Sequence, residues 1–290
     1  MIFTLPPFLY AYLSFAVFLL GACVGSFLNV CIYRIPREES VVKPRSHCPH
    51  CGRLIPWYEN IPLVSWVVLR ARCRGCRGPI SPRYVLVEAL VALLFLLVWL
   101  AWSPDGTPRP LGLAPYGSLA LAPIYWLAVS GLVLGTFVDF EHMIIPDRVS
   151  LGGIVAGLVL SPLVPALHGA AVWWHGLAWA AVGAAVGSGI LWMVAFVGRI
   201  VFRKEAMGLG DVKLLGAIGA LLGWKAVLFT LIVSSFAGSI VGVTLVLCGR
   251  KEMQGRIPFG PYLALAAALW ILWGPALVAL YLRLLTPVAV

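Results

Sequence analysis

Eight apolar runs dominate the chain: about Leu9–Tyr33, Tyr84–Trp102, Leu119–Val138, Ser150–Leu167, Trp174–Val197, Val212–Trp224, Ala226–Leu247 and Gly260–Leu285. A helix needs roughly 20 mostly apolar residues to cross a bilayer core, and in lipid a helix is one of the few ways to satisfy every backbone polar group. The sixth run is short and spans only by extending back through Met207–Asp211. The pattern predicts an all-α, polytopic membrane bundle of about eight transmembrane helices. A content of 61% hydrophobic and 11% charged residues, with mean hydropathy +0.98, excludes a water-soluble domain, disorder and a disulfide miniprotein.

Charge gives the orientation. Ten of the 21 Lys and Arg fall between Arg34 and Arg83, against Glu38, Glu39 and Glu59. In a membrane protein such a cluster marks a cytoplasmic loop rather than a nucleic-acid surface. No Lys or Arg precedes Arg34, so the basic segment of a signal peptide is missing and the first run reads as an uncleaved helix. Eight helices place segments 34–83, 139–149, 199–211 and 248–259 on the cytoplasmic side. The opposite loops carry only Arg109 and Lys225 as basic residues, so both termini are expected outside.

No repeat of fixed period is visible. Glycine pairs four residues apart do recur, at Gly21/Gly25, Gly131/Gly135, Gly183/Gly187, Gly219/Gly223 and Gly238/Gly242. Such spacing lets helix backbones approach closely, and a packed bundle is its ordinary meaning.

The basic loop contains Cys48-Pro-His-Cys51 and Cys73-Arg-Gly-Cys76. Each C-x2-C turn aims two thiolates at one point, and two such turns complete a tetrahedral zinc shell. Two disulfides are the alternative, which a reducing cytoplasm disfavours. A shell of four thiolates leaves no open position, so this zinc is expected to fold the loop rather than to react. His50 is a candidate substitute ligand but reads first as a solvated loop residue, and Cys23, Cys31 and Cys248 read as small hydrophobes.

Asp139 closes the third apolar run, and Asp211 lies in Met207-Gly-Leu-Gly-Asp211-Val-Lys213 at the head of the sixth. Charge at bilayer depth usually marks function. Two carboxylates brought together share a proton, one activating water while the other protonates the scissile carbonyl or leaving group. These residues by themselves leave open catalysis and a structural or transport role. Gly208 and Gly210 would let a backbone pass close to the catalytic group or to an extended substrate. Asp147, after Pro146, reads as a cap or turn residue, and Glu141 and His142 as solvated. Lys213 is expected to snorkel or to pair with Asp211 or Glu205.

Together these blocks resemble the bifunctional type IV prepilin peptidases. The resemblance begins at Gly25-Ser-Phe-Leu-Asn29-Val-Cys-Ile-Tyr-Arg34 and runs through the paired cysteine turns, Asn60-Ile-Pro-Leu-Val-Ser-Trp66, Pro82-Arg-Tyr84 and Glu88. It continues through Asp139 and Ile145-Pro-Asp147, then Gly208-Leu-Gly-Asp211-Val-Lys213, to Ile257-Pro-Phe-Gly-Pro261. It implies a GxGD-type aspartic peptidase in the inner membrane, with Asp139 and Asp211 as its catalytic pair. Prepilins and prepilin-like secretion proteins would lose a basic leader after a glycine at the cytoplasmic face. An N-terminal region, 1–102 with the zinc loop at 34–83, would then methylate the new N-terminal residue, usually phenylalanine, with S-adenosylmethionine. The peptidase region would be 119–290. Membrane lipid is a further partner, and the oligomeric state is left open.

One departure matters. The family carries glycine two places before the third cysteine, where this chain has Ala71, in Arg70-Ala71-Arg72-Cys73. Alanine disfavours positive φ, so a peptidase that has lost methyl transfer is one alternative. A non-enzymatic transporter or assembly scaffold, whose carboxylates carry ions, is another. Asn29, Arg34 and Glu88 are polar residues expected to border a pocket, or to serve structure alone.

Overall fold

All eight apolar runs become helices. The computed structural model describes residues 6–103, 110–202, 207–248 and 258–285; Arg109, Glu205 and Ile257, named above, lie outside them. Among the described residues are α1 (Pro7–Arg34), a short α2 (Val64–Val68), α3 (Arg83–Leu100), α4 (Leu121–His142), α5 (Asp147–Leu163), α6 (Trp173–Phe202), α7 (Leu209–Leu222), α8 (Trp224–Leu247) and α9 (Gly260–Leu285). The only strand-like pairings there are isolated bridges.

Six helices are long and apolar enough to cross a membrane: α1, α3, α4, α6, α8 and α9. The expectation of about eight spans therefore counts two helices too many by this measure. α5 has 17 residues and α7 has 14, shorter than any of these six. Glycines bound α7: Gly208 is extended before it, and Gly223 turns to φ 83 after it. From Val212 to Leu221 every residue of α7 except Lys213 is buried, so protein rather than lipid surrounds it.

The chain divides into two compact units, 1–100 and 101–290. In the first, α1 and α3 pack antiparallel, with the loop between them. A Cβ added to Gly21 would come 2.7 Å from the Ala92 Cα, and one on Gly25 would come 2.7 Å from the Glu88 Cα. One turn further on, Asn29 Nδ2 donates to the Tyr84 carbonyl at 3.0 Å. Arg34 is buried at the end of α1 and donates to the carbonyls of Ser40 (2.9 Å) and Pro44 (2.8 Å), tying down the start of the loop.

In the second unit α7 is the inner helix, packed against α5, α6, α8 and α9. A Cβ on Gly183 would stand 2.0 Å from the Gly219 carbonyl oxygen, and one on Gly187 would stand 2.3 Å from that of Leu215. The glycine pairs thus separate by role. Gly21/Gly25, Gly183/Gly187 and Gly219 bring backbones together, whereas Gly131, Gly135 and Gly238 meet only side chains at ordinary contact distance.

Candidate functional site

Four helix ends build the carboxylate site. α4 stops at His142 because Met143 turns left-handed (φ 55) and returns its N–H to the Asp139 carbonyl. This leaves Asp139 in the last turn of α4, buried, with Oδ2 accepting the Gly260 backbone N–H at 3.1 Å from the start of α9. Asp211 lies in the first turn of α7. The Asp211 end of α7 meets the Asp139 end of α4 across Ile145, which both Gly210 and Gly260 approach.

Ile145, buried in the turn from α4 to α5, packs the helix ends together. A Cβ on Gly210 would lie 3.2 Å from the Ile145 Cβ, and one on Gly260 would lie 3.0 Å from its Cδ1 and 2.7 Å from Asp139 Oδ2. Gly210 is therefore a point of close approach, whereas Gly208 would have room for a methyl group, 3.6 Å from Asp211 Oδ2. Gly260 lies in the Ile257-Pro-Phe-Gly-Pro261 block but had no contact assigned to it there; its bond to Asp139 adds it to the site. Its signal was present, a glycine between Phe259 and Pro261 at the head of an apolar run, but its role is a backbone N–H, which no side-chain motif announces.

The neighbouring polar residues also find their places. Asp147 caps nothing through its side chain; instead it pairs with Lys213 at 2.7 Å, joining the start of α5 to α7. Lys213 thus takes a partner other than the two expected for it. Glu141 is exposed, whereas His142 is half-buried with its Nε2 buried and unpartnered, so the solvated expectation holds for only one of them.

In the first unit the sulfurs of Cys48, Cys51, Cys73 and Cys76 all lie within 4.8 Å of one another, with Cys48 and Cys76 at 3.9 Å. Four thiolates about 2.3 Å from a tetrahedral zinc stand roughly 3.8 Å apart, so the cluster fits one ion, and it could hold such a metal. The backbone N–H groups of Cys76 and Gly75 pull the Cys73 thiol down, to about 6, whereas desolvation and the neighbouring thiols push that of Cys76 up, to about 11. His50 is exposed and stands outside the cluster.

Two copies of one turn present these thiols. Cys48 N–H bonds the Arg53 carbonyl, Gly52 N–H that of Cys48, and Ile55 N–H that of Ser46; Cys73 to Gly78, Arg77 to Cys73 and Ile80 to Ala71 repeat the bonds 25 residues later. The bridges His47–Leu54 and Arg72–Pro79 repeat as well. The left-handed position filled by Gly52 (φ 70) is filled by Arg77 (φ 57) in the second copy. Few side chains match, so the sequence shows no period; the backbone does. Ala71 sits at φ 55 beside Arg70 at φ 50, so the turn forms with alanine in a conformation that favours glycine.

Helix ends converging on paired carboxylates, in a chain with six membrane-length helices and a four-thiol metal cluster, define a multi-pass membrane protein equipped for acid–base chemistry. Residues 19–102 match the bacterial peptidase A24 N-terminal domain and residues 126–243 the type IV leader peptidase family. A prepilin leader peptidase/N-methyltransferase of Aeromonas hydrophila is 39% identical over 300 residues, covering 95% of each chain. One of Pseudomonas aeruginosa is 34% identical over 290 residues, covering 91% of this chain and 92% of the relative. Another, of Myxococcus xanthus, is 44% identical over 239 residues, covering 80% and 64%. The chain belongs to the type IV leader peptidase family. No solved structure matches it.

Proposed function

We propose that this protein cleaves the basic leader from type IV prepilins and prepilin-like secretion proteins, then N-methylates the residue exposed. The observation that carries the cleavage reading is the pairing of Asp139 with Asp211 at converging helix ends, one carboxylate fixed by the Gly260 N–H. Two carboxylates brought to one site by converging helix ends can share a proton. The unprotonated carboxylate takes a proton from water as it attacks the scissile carbonyl, and the protonated one gives its proton to the substrate. Family names over most of the chain favour this reading over a transporter or scaffold.

Residues 1–102 are assigned to methyl transfer and 119–290 to cleavage. Cys48, Cys51, Cys73 and Cys76 would hold zinc, which braces the loop. S-adenosylmethionine would supply the methyl group. The basic 34–83 segment puts that loop in the cytoplasm of an inner-membrane protein, where a positive leader joins an apolar substrate helix. Cleavage at that junction would bring the substrate to the membrane edge.

Intact mass of a prepilin incubated with the purified protein and S-adenosylmethionine tests both activities. Loss of the leader plus one methyl group, with Asp139→Asn abolishing the cleavage, is the expected result. Leader loss without methylation would point to Ala71 and a peptidase alone, and no change on an inserted prepilin would refute the enzyme reading.

A further inference from the structure

A second carboxylate is buried where cleavage does not use it. Glu88, on the apolar helix α3, is 8% exposed. Its Oε2 accepts the Leu63 backbone N–H at 2.7 Å, and it is hydrogen-bonded to Ser26 of α1. Both partners are neutral. A charge in an apolar helix is costly unless something answers it, and such residues commonly mark function.

The surroundings are unfinished in the same direction. Asn29, 1% exposed, spends its amide N–H on the Tyr84 carbonyl and leaves Oδ1 buried without a partner. An unsatisfied buried acceptor carries a desolvation cost of its own. Gly25 faces Glu88, and Asn29 faces Tyr84 one turn along. Helix side chains lean toward their own N-termini. In this antiparallel pair, Glu88 and Asn29 therefore lean toward each other's level in the seam.

The loop meets them there under strain. Leu63 sits at φ 64, ψ −47, and Val64 N–H reaches back to the Pro62 carbonyl at 2.7 Å, closing a three-residue γ-turn. That conformation is rare for a side chain as large as leucine, and the bond from Leu63 to Glu88 is what holds it against α3. The seam thus offers one carboxylate and one free amide oxygen, both acceptors, with no cation among their partners in the described residues.

We propose that Glu88 and Asn29 form a recognition site for an organic cation of the methyl-transfer reaction. Two cations have that chemistry: the sulfonium-bearing methyl donor, and the free α-ammonium of the cleaved substrate. The proposal rests on the methyl-transfer reading above.

Binding to the full-length protein in detergent tests it without turnover. The probes are S-adenosylmethionine against S-adenosylhomocysteine, which lacks the sulfonium charge, and a phenylalanine-initiated peptide against its N-acetylated form. The wild-type protein should prefer one charged probe by roughly tenfold, the fold-change expected of one charge attraction at a partly buried site, with a donated hydrogen bond added only where the cation is the ammonium. Glu88→Gln, which keeps an acceptor for Leu63 N–H, should bring that preference close to unity, and Glu88→Asp should restore part of it. The pair that responds identifies the cation. Asn29→Leu should lower the preference several-fold without touching the Leu63 turn, and it decides the matter if the Glu88 variants do not fold. Methylation of a pre-cleaved pilin with the Gln variant retaining the preference would overturn the proposal and leave the reading intact. A wild-type protein that binds neither cation and methylates nothing would overturn both.

Discussion

In the four-cysteine loop, thiols that converge within 4.8 Å stand on short turns, and only Cys48 among them is buried. At the carboxylate site, Asp139 ends the 22-residue α4 and Asp211 begins the 14-residue α7, with the helix ends pressed together around Ile145 and glycine backbones in contact nearby. The loop has little core to draw on: local backbone bonds shape it, and its four thiols could hold a metal ion. The carboxylate site depends on tertiary packing that leaves no room for an added methyl group at Gly260. Removal of the ion should therefore disturb one region, and a single Cβ the other.

Asp139→Asn or Asp211→Asn should lower leader cleavage by on the order of a thousandfold or more, since residues acting as a unit fail together. A leader-release assay on membrane-inserted prepilin checks this, and equal losses in the single and double variants would confirm the unit. Gly260→Ala comes next. Its methyl group would stand 2.7 Å from Asp139 Oδ2, and a displacement near 1 Å in a catalytic group costs about a hundredfold. The same assay should show that loss, with metal content unchanged.

Chelation, or Cys51→Ser with Cys76→Ser, should remove the metal and unfold the loop, because metal binding and local folding are coupled. Elemental analysis with limited proteolysis across 45–80 checks this; a metal-free loop that still resists the protease would break the contrast. A smaller change runs the other way. Ala71→Gly relieves a left-handed alanine (φ 55) and should stabilise the loop by no more than about 1 kcal/mol, visible as a higher temperature of protease sensitivity.

The smallest expected effect belongs to the second unit. His168, after α5, bonds Ser161 Oγ at 3.0 Å and the Ala220 backbone near the end of α7. Burial pulls its imidazole below the ordinary 6.5. The folded state thus resists a proton that the unfolded chain accepts. Stability is full above 6.5 and declines as the pH falls below it. Melting curves from pH 7.5 to 5.5 should show a shift of a few degrees that His168→Gln reduces; the same shift in the variant would refute it.

Much of this contrast is written in side chains, and that part is readable in the sequence. Cysteine spacing announced the metal cluster, and apolar runs announced the helices, because each signal is local. Helix length is less local. α7 reads as the core of a span, yet Gly208 and Gly223 stop it at 14 residues. The repeat of the two cysteine turns lies in backbone bonds and left-handed positions, where Arg77 stands for Gly52. The Gly260 N–H, the Lys213–Asp147 pair and the Leu63 turn on Glu88 all join residues distant in the chain. No spacing rule connects such positions.

On the reading proposed above, the carboxylate pair of the second unit cleaves while the first unit methylates. The direct test offers Asp211→Asn two substrates, an intact prepilin and a pilin already cleaved at its leader, each with S-adenosylmethionine, and reads both by intact mass. The expected result is an uncut prepilin and a normally methylated pre-cleaved pilin. A variant that still removes the leader, or one that folds and binds metal yet cannot methylate the pre-cleaved pilin, would contradict it.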